Sequence, residues 1–200
     1  MIIARFFKNH ESLGPTLVKE YPWVIVSNIE TWLTEKLKSL DDSYILKKTV
    51  AIHRSARIEE HAVIKGPAII SAGCFVAAHA YLRNGVFLGE NVGLGPGCEV
   101  KTSIILAETR LAHFNFVGDS LIGSDVNMEA GSVIANHYNE RADKTISVLL
   151  DGRVTKTDAL KFGAMIGDGS RIGANAVLSP GTVLEPGSIV KRLELVEQTR

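Results

Sequence analysis

A six-residue period runs through the sequence from Ile52 onward. A branched aliphatic residue opens each of nine consecutive hexads, and a small or apolar residue follows four positions later. An α-helix cannot keep a six-residue apolar period on one face, and a half-buried strand alternates every two residues. The period instead predicts a parallel β-helix, in which each hexad forms a short strand and a corner and three hexads complete one coil. The nine aliphatic positions are Ile52, Ile58, Ile64, Ile70, Val76, Leu82, Leu88, Leu94 and Val100.

The period shortens by one residue at two places and then stops. After Val100 it continues at Ile105, and after Val117 it continues at Ile122, so two corners are five residues long. It breaks off after Ile134 and resumes at Ile166. Irregularity inside a regular scaffold is where function is worth seeking, and these two corners flank the segment richest in polar side chains. The hexads together predict about six coils.

The domain organisation follows from where the period holds. We expect an N-terminal helical cap over residues 1–48, a β-helix over 49–190 with an insertion at 135–163, and a charged C-terminal tail over 191–200. Within the insertion, Asp151-Gly152 between two alternating runs predicts a β-hairpin with a type I′ turn. Within the cap, Ser27 and Glu30 have the spacing of a capping box that opens an amphipathic helix. We expect this helix to cover the exposed first coil.

Composition excludes several classes of function. The chain has 22 basic and 22 acidic residues, and this balance does not suggest a general affinity for nucleic acid or anionic membranes. Its first residues lack the apolar run of a signal peptide, and no stretch is long enough to cross a bilayer. The two cysteines, Cys74 and Cys98, fall on inward positions of different faces, which predicts reduced core thiols. These features together predict a cytoplasmic protein.

Two cations are predicted to stack on one outward face. Arg83 and Lys101 each follow an inward aliphatic residue and are 18 residues apart, which places their backbones about 5 Å apart on neighbouring coils. The equivalent position in the next coil is Gly118, so no acidic residue is expected to pair with them. A bound anion such as a phosphate would relieve the repulsion between the two charges. Two solvated surface cations that splay apart are an equally acceptable interpretation.

Counting coils places further polar residues at the same corner as Arg83 and Lys101. These residues are His113, Asn127 and Asn136. A histidine beside two cations and two amides is a candidate general base. The three residues after His113 include no second histidine, so we expect no metal site.

Ordered motifs identify a known family. Residues 49–190 resemble the left-handed β-helix acetyltransferase domain of the bifunctional N-acetylglucosamine-1-phosphate uridyltransferases, also called glucosamine-1-phosphate N-acetyltransferases. They resemble most the archaeal-type sugar-1-phosphate nucleotidylyltransferase/acetyltransferases. The stretches that carry the resemblance are Arg83-Asn-Gly, Glu99-Val-Lys101, Ala112-His-Phe-Asn-Phe-Val-Gly-Asp119, Asn127-Met-Glu-Ala-Gly131, Ala135-Asn136 and Lys161-Phe-Gly-Ala-Met-Ile-Gly-Asp168.

The resemblance implies a fold, an assembly and an activity. It implies left-handed coils and a homotrimer with active sites at the subunit junctions. The implied activity transfers an acetyl group from acetyl-CoA to the amine of an amino-sugar phosphate, foremost glucosamine 1-phosphate. By the same resemblance, the base is His113, the substrate contacts are Arg83, Lys101, Phe116 and Asn127, and the acetyl-CoA contacts are Asn136, Ala130 and Ala174.

Three departures from the family pattern keep alternatives open. Phe116 stands where the family has a tyrosine, and no lysine is clearly placed in the insertion, where Arg141 or Lys144 could substitute. The sequence also lacks a glycine-rich nucleotide loop, so we expect no uridyl transfer. One alternative is a non-catalytic trimeric β-helix that partners or scaffolds a separate nucleotidylyltransferase. The other is an acyltransferase with a different sugar acceptor.

Overall fold

The computed structural model describes residues 2–199. The N-terminal part is helical, and none of the helices in the described range combines the length and apolar character that crossing a membrane requires. The helices are α1 (Ile2–Phe6), a 3-10 helix (His10–Leu13), α2 (Gly14–Leu17), α3 (Pro22–Ser27) and α4 (Ile29–Leu37).

The remaining regular structure consists of short strands. In chain order these are β1 (Tyr44–Lys47), β2 (Val50–His53), β3 (Arg57–Ile58), β4 (Val63–Ile64), β5 (Ala68–Ile70), β6 (Phe75–Val76), β7 (Tyr81–Leu88), β8 (Gly93–Leu94), β9 (Glu99–Ile105), β10 (Arg110–Leu111), β11 (Phe116–Gly118), β12 (Leu121–Ile122), β13 (Asn127–Met128), β14 (Val133–Ile134), β15 (Ser147–Leu150), β16 (Arg153–Lys156), β17 (Ala164–Ile166), β18 (Arg171–Ile172), β19 (Val177–Leu178), β20 (Thr182–Leu184), β21 (Ile189–Val190) and β22 (Leu195–Val196).

Parallel pairing arranges the strands into a solenoid with three faces. Face 1 stacks β2, β5, the second halves of β7 and β9, β12, β17 and β20. Face 2 stacks β3, β6, β8, β10, β13, β18 and β21. Face 3 stacks β4, the first halves of β7 and β9, β11, β14, β19 and β22. The parallel β-helix is therefore confirmed.

The solenoid is longer than the six coils predicted from the sequence. Each face carries seven strands, because β22 stacks on β19 within the segment that the sequence analysis assigned to a charged tail. The hexad aliphatic residues form one continuous core, as predicted, and the first coil is less buried than the others. The shortened corners are also real, since Val100 pairs with Val117 and Ile105 pairs with Ile122.

The N-terminal cap lies in a different place from the one we predicted. Its helices do not close the first coil but pack along face 1, where they bury outward residues of successive coils, among them Ile69, Phe87, Ile104 and Met165. The first coil is instead flanked by β1, which pairs antiparallel with β2. The physical reason is that face 1 presents an apolar outward column several coils long, which offers far more buried area than the end of the solenoid.

The predicted helix forms, but its capping box does not. Ser27 is the last residue of α3, and its hydroxyl donates to the carbonyl of Val24. Asn28 precedes α4 and makes no side-chain cap of that helix. The apolar stripe of α4 is nevertheless as predicted, with Ile29 and Leu33 buried against face 1. Packing of that stripe, rather than a cap, holds this helix.

The insertion contains the predicted hairpin. Strands β15 and β16 pair antiparallel, and the two residues between them, Asp151 and Gly152, have φ of 51° and 72°. Positive φ at both central residues is the signature of a type I′ turn.

Both cysteines are buried and reduced, as predicted, and this has a chemical consequence. Burial raises the pKa of the Cys74 thiol to about 11 and also raises that of Cys98. Because the thiolate is the reactive form, we expect neither thiol of the native protein to react with Ellman's reagent at about pH 8. Unfolding in guanidinium chloride should release both for rapid reaction. Fast labelling of the native protein would contradict the described packing of this core.

Candidate functional site

The first polar group consists of Arg83, Lys101 and their carboxylate partners, and it lies where face 3 meets face 1. Arg83 and Lys101 are paired on neighbouring strands, as predicted. The Arg83 guanidinium contacts Glu99 with an Nη2–Oε1 distance of 2.7 Å, and Lys101 Nζ lies 2.6 Å from Asp119 Oδ2. The second pair is deeply buried, with side-chain exposures of 11% and 8%. Each cation therefore has its own carboxylate.

These ion pairs correct the prediction of two unpaired cations. Gly118 does stack on Lys101, but Asp119 immediately after it is the residue that reaches the ammonium. Asp119 adopts φ of 47° at the shortened corner. Glu99 lies on the same side of its strand as Lys101 and diagonally opposite Arg83, which brings a carboxylate within reach of the guanidinium. A bound anion is not required to relieve repulsion here.

Asp119 extends the network to the start of the insertion. The Nδ2 group of Asn136 donates to Asp119 Oδ2, the same oxygen that accepts from Lys101. His137 Nδ1 lies 3.2 Å from Asn136 Oδ1. Neither Asp119 nor His137 was predicted as a site residue from the sequence. The signal for Asp119 was present, because it occupies the second of the two five-residue corners.

Phe116 borders this group. It faces outward on face 3, opposite Glu99 of the preceding coil. Its ring lies over Gly118, where a Cβ atom would come within 2.9 Å of the ring and of Asn136 Nδ2. Glycine at position 118 therefore lets the ring and the amide approach the backbone. The resulting wall beside the ion pairs is apolar and has no hydroxyl.

The second polar group lies at the other edge of face 3, at its corner with face 2. His113 is exposed there, and its carbonyl accepts a hydrogen bond of 2.8 Å from the Gly131 amide one coil further on. The Ala130 carbonyl accepts one of 3.0 Å from the Asn175 amide. His113, Ala130 and Ala174 thus form one column along this corner.

A carboxylate fixes the upper part of this column. Glu129 accepts a hydrogen bond of 2.9 Å from the Ala174 amide and pairs with Arg192 at 2.7 Å. The hydrogen bond from Arg192 and the one from the Ala174 amide lower the pKa of Glu129 to about 2. The pair therefore persists to strongly acidic pH. The Ala174 amide is occupied in this state, so it is not presented to a ligand.

Phe114, next to His113, has a strained backbone. Its φ is 52°, which a bulky residue rarely adopts, and its side chain is 72% exposed. The ring lies over Gly97, where a Cβ atom would approach it to 2.5 Å. The equivalent residues His61 and His79 of earlier coils also have positive φ, of 66° and 61°, so this conformation is imposed by the corner of the solenoid.

Asn127 belongs to neither corner. It faces outward from β13 on face 2, between Arg110 and Arg171 of the adjacent coils.

The prediction that five polar residues converge on one corner is therefore wrong for a single chain. Arg83, Lys101 and Asn136 lie at one edge of face 3 and His113 lies at the other. The six residues from His113 to Gly118 span about 15 Å of strand and corner. Counting coils gave the correct height along the solenoid axis. It did not give the position around the coil, which depends on where in its hexad each residue falls.

The insertion residues Arg141 and Lys144 and two further histidines are the other candidates from the sequence. Arg141 of the insertion pairs with Glu197 at 3.0 Å and lies 3.4 Å above the ring of Tyr138, while Lys144 is exposed. The rings of His61 and His79 stack with centroids 5.5 Å apart at the same corner as His113. Within residues 2–199, no three His, Cys, Asp or Glu side chains converge to hold a metal ion.

Part of the chain matches a protein-family model, and about three quarters of it aligns with bifunctional proteins. Residues 64–160 match the family described as GMPPB C-terminal domain. The chain is 35% identical over 153 residues to a bifunctional sugar-1-phosphate nucleotidylyltransferase/acetyltransferase from Sulfurisphaera tokodaii. This alignment covers 73% of the chain and 37% of that protein. It is 37% identical over 154 residues to the bifunctional protein GlmU from Methanococcus maripaludis. That alignment covers 74% of the chain and 36% of the relative.

The chain thus spans a little over a third of the length of these two relatives. Among solved structures, a hexapeptide transferase family protein from Anaplasma phagocytophilum aligns with a TM-score of 0.42 and 17% identity, over 70% of this chain and 72% of that one.

The buried Lys101–Asp119 pair leads to a stability prediction. Asp119→Asn removes the counter-charge of a buried ammonium, and we expect the free energy of unfolding to fall by about 3 kcal/mol. The matched control is Glu99→Gln, which breaks the more exposed pair with Arg83 and should cost less than about 1 kcal/mol. Urea unfolding followed by circular dichroism, at one protein concentration, compares the two. Equal losses for both variants would show that burial of the Lys101 pair contributes no extra stability.

Proposed function

This chain is related to the bifunctional sugar-1-phosphate nucleotidylyltransferase/acetyltransferases, and we propose that it transfers an acetyl group from acetyl-CoA to the amine of an amino-sugar phosphate. Glucosamine 1-phosphate is the proposed acceptor. The observation that carries the proposal is the column of His113, Ala130 and Ala174 on one exposed corner. Its residues match the family motifs for the base and the acetyl-CoA contacts.

His113 is the proposed general base. An ammonium ion cannot attack a thioester, so a base must take a proton from the bound amine. The neutral amine then attacks the thioester carbonyl, and the sulfur leaves as the CoA thiol. The exposure of His113 supports this role, because its ring is open to a substrate.

Arg83 is the proposed principal ligand of the sugar phosphate. Its guanidinium has five donors, of which Nε and Nη2 contact Glu99. Glu99 is one-third exposed, so its side chain can turn into solvent when a phosphate takes its place. Lys101 is already neutralised by Asp119 in a buried pair, and its proposed role is to hold Asn136 and the corner in position through that carboxylate.

The separation of the two polar groups supports a site shared between subunits. In a homotrimer, the corner of one protomer that carries Arg83, Lys101 and Asn136 would face the corner of the next that carries His113, Ala130 and Ala174. The exposed ring of Phe114 would then be covered at the junction.

A non-catalytic scaffold for a separate nucleotidylyltransferase is the second candidate. The observations that favour it are the two neutralised cations and the apolar ring of Phe116, which reduce the polar contacts available to a sugar phosphate. An acyltransferase with another sugar acceptor is the third. It retains the base at His113 and differs only in what Phe116 contacts.

The first test measures release of free thiol from acetyl-CoA in the presence of glucosamine 1-phosphate. We expect turnover that requires the sugar and falls by two to four orders of magnitude in His113→Ala, the usual contribution of a general base. His79→Ala is the matched control, since that histidine lies at the same corner two coils away, and it should keep full activity.

The outcomes separate the three candidates. Undiminished turnover in His113→Ala would remove His113 as the base. No turnover with this acceptor, together with saturable CoA binding by calorimetry, would favour a different acceptor. Failure to bind either CoA or sugar phosphate would favour the scaffold.

The second test asks whether one site draws on two protomers. His113→Ala and Arg83→Ala are each expected to be inactive as homotrimers. After the two are unfolded together and refolded at equal ratio, about one junction in four should combine an intact His113 with an intact Arg83 and recover activity. The control mixes Arg83→Ala with Lys101→Ala, which lie on the same corner and should stay far less active. No recovery in the first mixture would contradict the shared site.

A further inference from the structure

His137 is a histidine of the insertion to which the acetyl transfer described above gives no role. It is exposed, and it follows Asn136 at the edge of face 3 that holds the two cations. Its neighbours in the chain are both anchored. The Asn136 carbonyl accepts a hydrogen bond of 3.0 Å from the Phe162 amide, and the Tyr138 hydroxyl donates to the Pro180 carbonyl at 3.0 Å. The backbone therefore holds this exposed imidazole at a defined position.

The hydrogen-bond network sets which ring nitrogen of His137 carries the proton. A carboxylate can only accept hydrogen bonds, so Asn136 turns its NH₂ group towards Asp119. The carbonyl oxygen of the same amide then faces His137 Nδ1 at a distance of 3.2 Å. Because this oxygen also can only accept, Nδ1 is the protonated nitrogen. In the neutral imidazole, Nε2 consequently carries a lone pair.

A buried charge at the start of the network keeps its direction fixed. Lys101 Nζ donates to Asp119 Oδ2, and an ammonium has no accepting atom. Lys101, Asp119 and Asn136 are all buried, with exposures of 9%, 6% and 7%. A reversed Asn136 amide would set its carbonyl oxygen against the carboxylate and leave a buried acceptor unsatisfied, which is costly. The tautomer of His137 is thus imposed from the interior of the corner.

His137 differs in this respect from His113. The ring of His113 makes no hydrogen bond, ion pair or ring contact with any of residues 2–199, so no neighbour in its own chain sets its tautomer. The Nδ1 atom of His137 is held, and its Nε2 atom has no hydrogen-bond partner in the same range. An exposed basic nitrogen on a ring that a third group orients is the arrangement that enzymes use for proton transfer.

Acetyl transfer needs a second carrier of protons. An amino-sugar ammonium loses two protons before it becomes an amide nitrogen, and the CoA sulfur gains one proton. His113 accounts for the first proton in the function proposed above. In the proposed trimer, the corner that carries His137 faces the corner of the next protomer that carries His113, so both imidazoles flank one site.

We propose that His137 carries the second proton, a role that rests on acetyl transfer as the function. Once the neutral amine has bonded to the thioester carbon, its nitrogen is positively charged and keeps two protons. His137 Nε2 takes one of them, and the resulting imidazolium gives it to the sulfur as the carbon–sulfur bond breaks. His113 returns the first proton to solvent. The products are one amide, one CoA thiol and one solvent proton, so atoms and charge balance.

The kinetic test measures thiol release from acetyl-CoA with glucosamine 1-phosphate. We expect His137→Gln to lower kcat by at least about tenfold and to leave KM for the sugar phosphate within about twofold, because the imidazole acts on the reacting atoms rather than on the phosphate. His79→Gln is the matched control. It makes the same exchange at an exposed histidine and should keep kcat unchanged.

A measurement on the unchanged protein tests the tautomer without any turnover. Long-range ¹H–¹⁵N correlation spectra of ¹⁵N-labelled protein at about pH 8, where an ordinary imidazole is neutral, distinguish the two tautomers. The signals that disappear in His137→Gln identify this residue. We expect protonation at Nδ1 in the unchanged protein and a shift towards protonation at Nε2 in Asn136→Ala, which removes the acceptor.

Protonation of His137 at Nε2 in the unchanged protein overturns the proposed role, whether or not a variant folds. An unchanged kcat in His137→Gln overturns it too, as does an equal loss in His79→Gln. The function and this role fail in distinguishable ways. If the unchanged protein turns over and His137→Gln matches it, only the role of His137 is removed. If the unchanged protein does not turn over, acetyl transfer to this acceptor and the role of His137 are both removed.

Discussion

The stacking of inward aliphatic side chains from coil to coil is the constraint on which the rest of the structure depends. Each inward residue rests on the equivalent residue of the coil before it, and each strand pairs in parallel with the strands above and below. Burial of this column supplies a driving force at every turn. It also restricts the length of each hexad, because the loss of one residue is accommodated only at a corner. In each of the two shortened hexads, one corner residue adopts a positive φ. These residues are Thr102, with φ of 48°, and Asp119, with φ of 47°.

The three faces of the solenoid differ in their outward side chains. Face 1 is apolar outside as well as inside, and the N-terminal helices and the base of the insertion bury it in a second core. Three of the seven described strands of face 2 carry an outward arginine, namely Arg57, Arg110 and Arg171. Face 3 has candidate functional groups at both of its edges. The helical cap therefore thickens one side of the molecule and leaves the other two faces uncovered.

Charge at the candidate site is balanced within the chain. Arg83 and Lys101 would repel each other on adjacent coils, and Glu99 and Asp119 cancel this repulsion at different depths. In the proposed function, the more exposed pair exchanges its carboxylate for a substrate phosphate at small cost. The buried pair does not exchange its carboxylate, because separating the two charges would leave one of them buried without a partner. Two cations that look equivalent in the sequence therefore differ in burial, and we propose different roles for them, phosphate binding for Arg83 and support of the corner for Lys101.

The sequence by itself determined the solenoid, its inward column, the two short corners, the hairpin and the reduced state of Cys74 and Cys98. All of these follow from local periodicity and turn chemistry, which are properties of neighbouring residues. Only the tertiary structure decided that the cap lies along face 1, that Asp119 pairs with Lys101, and that His113 and Arg83 stand at opposite edges of face 3. These depend on how far each corner turns the chain and on which side chains then meet. A repeat in the sequence measures height along the axis, whereas contacts between side chains also depend on the angle around it.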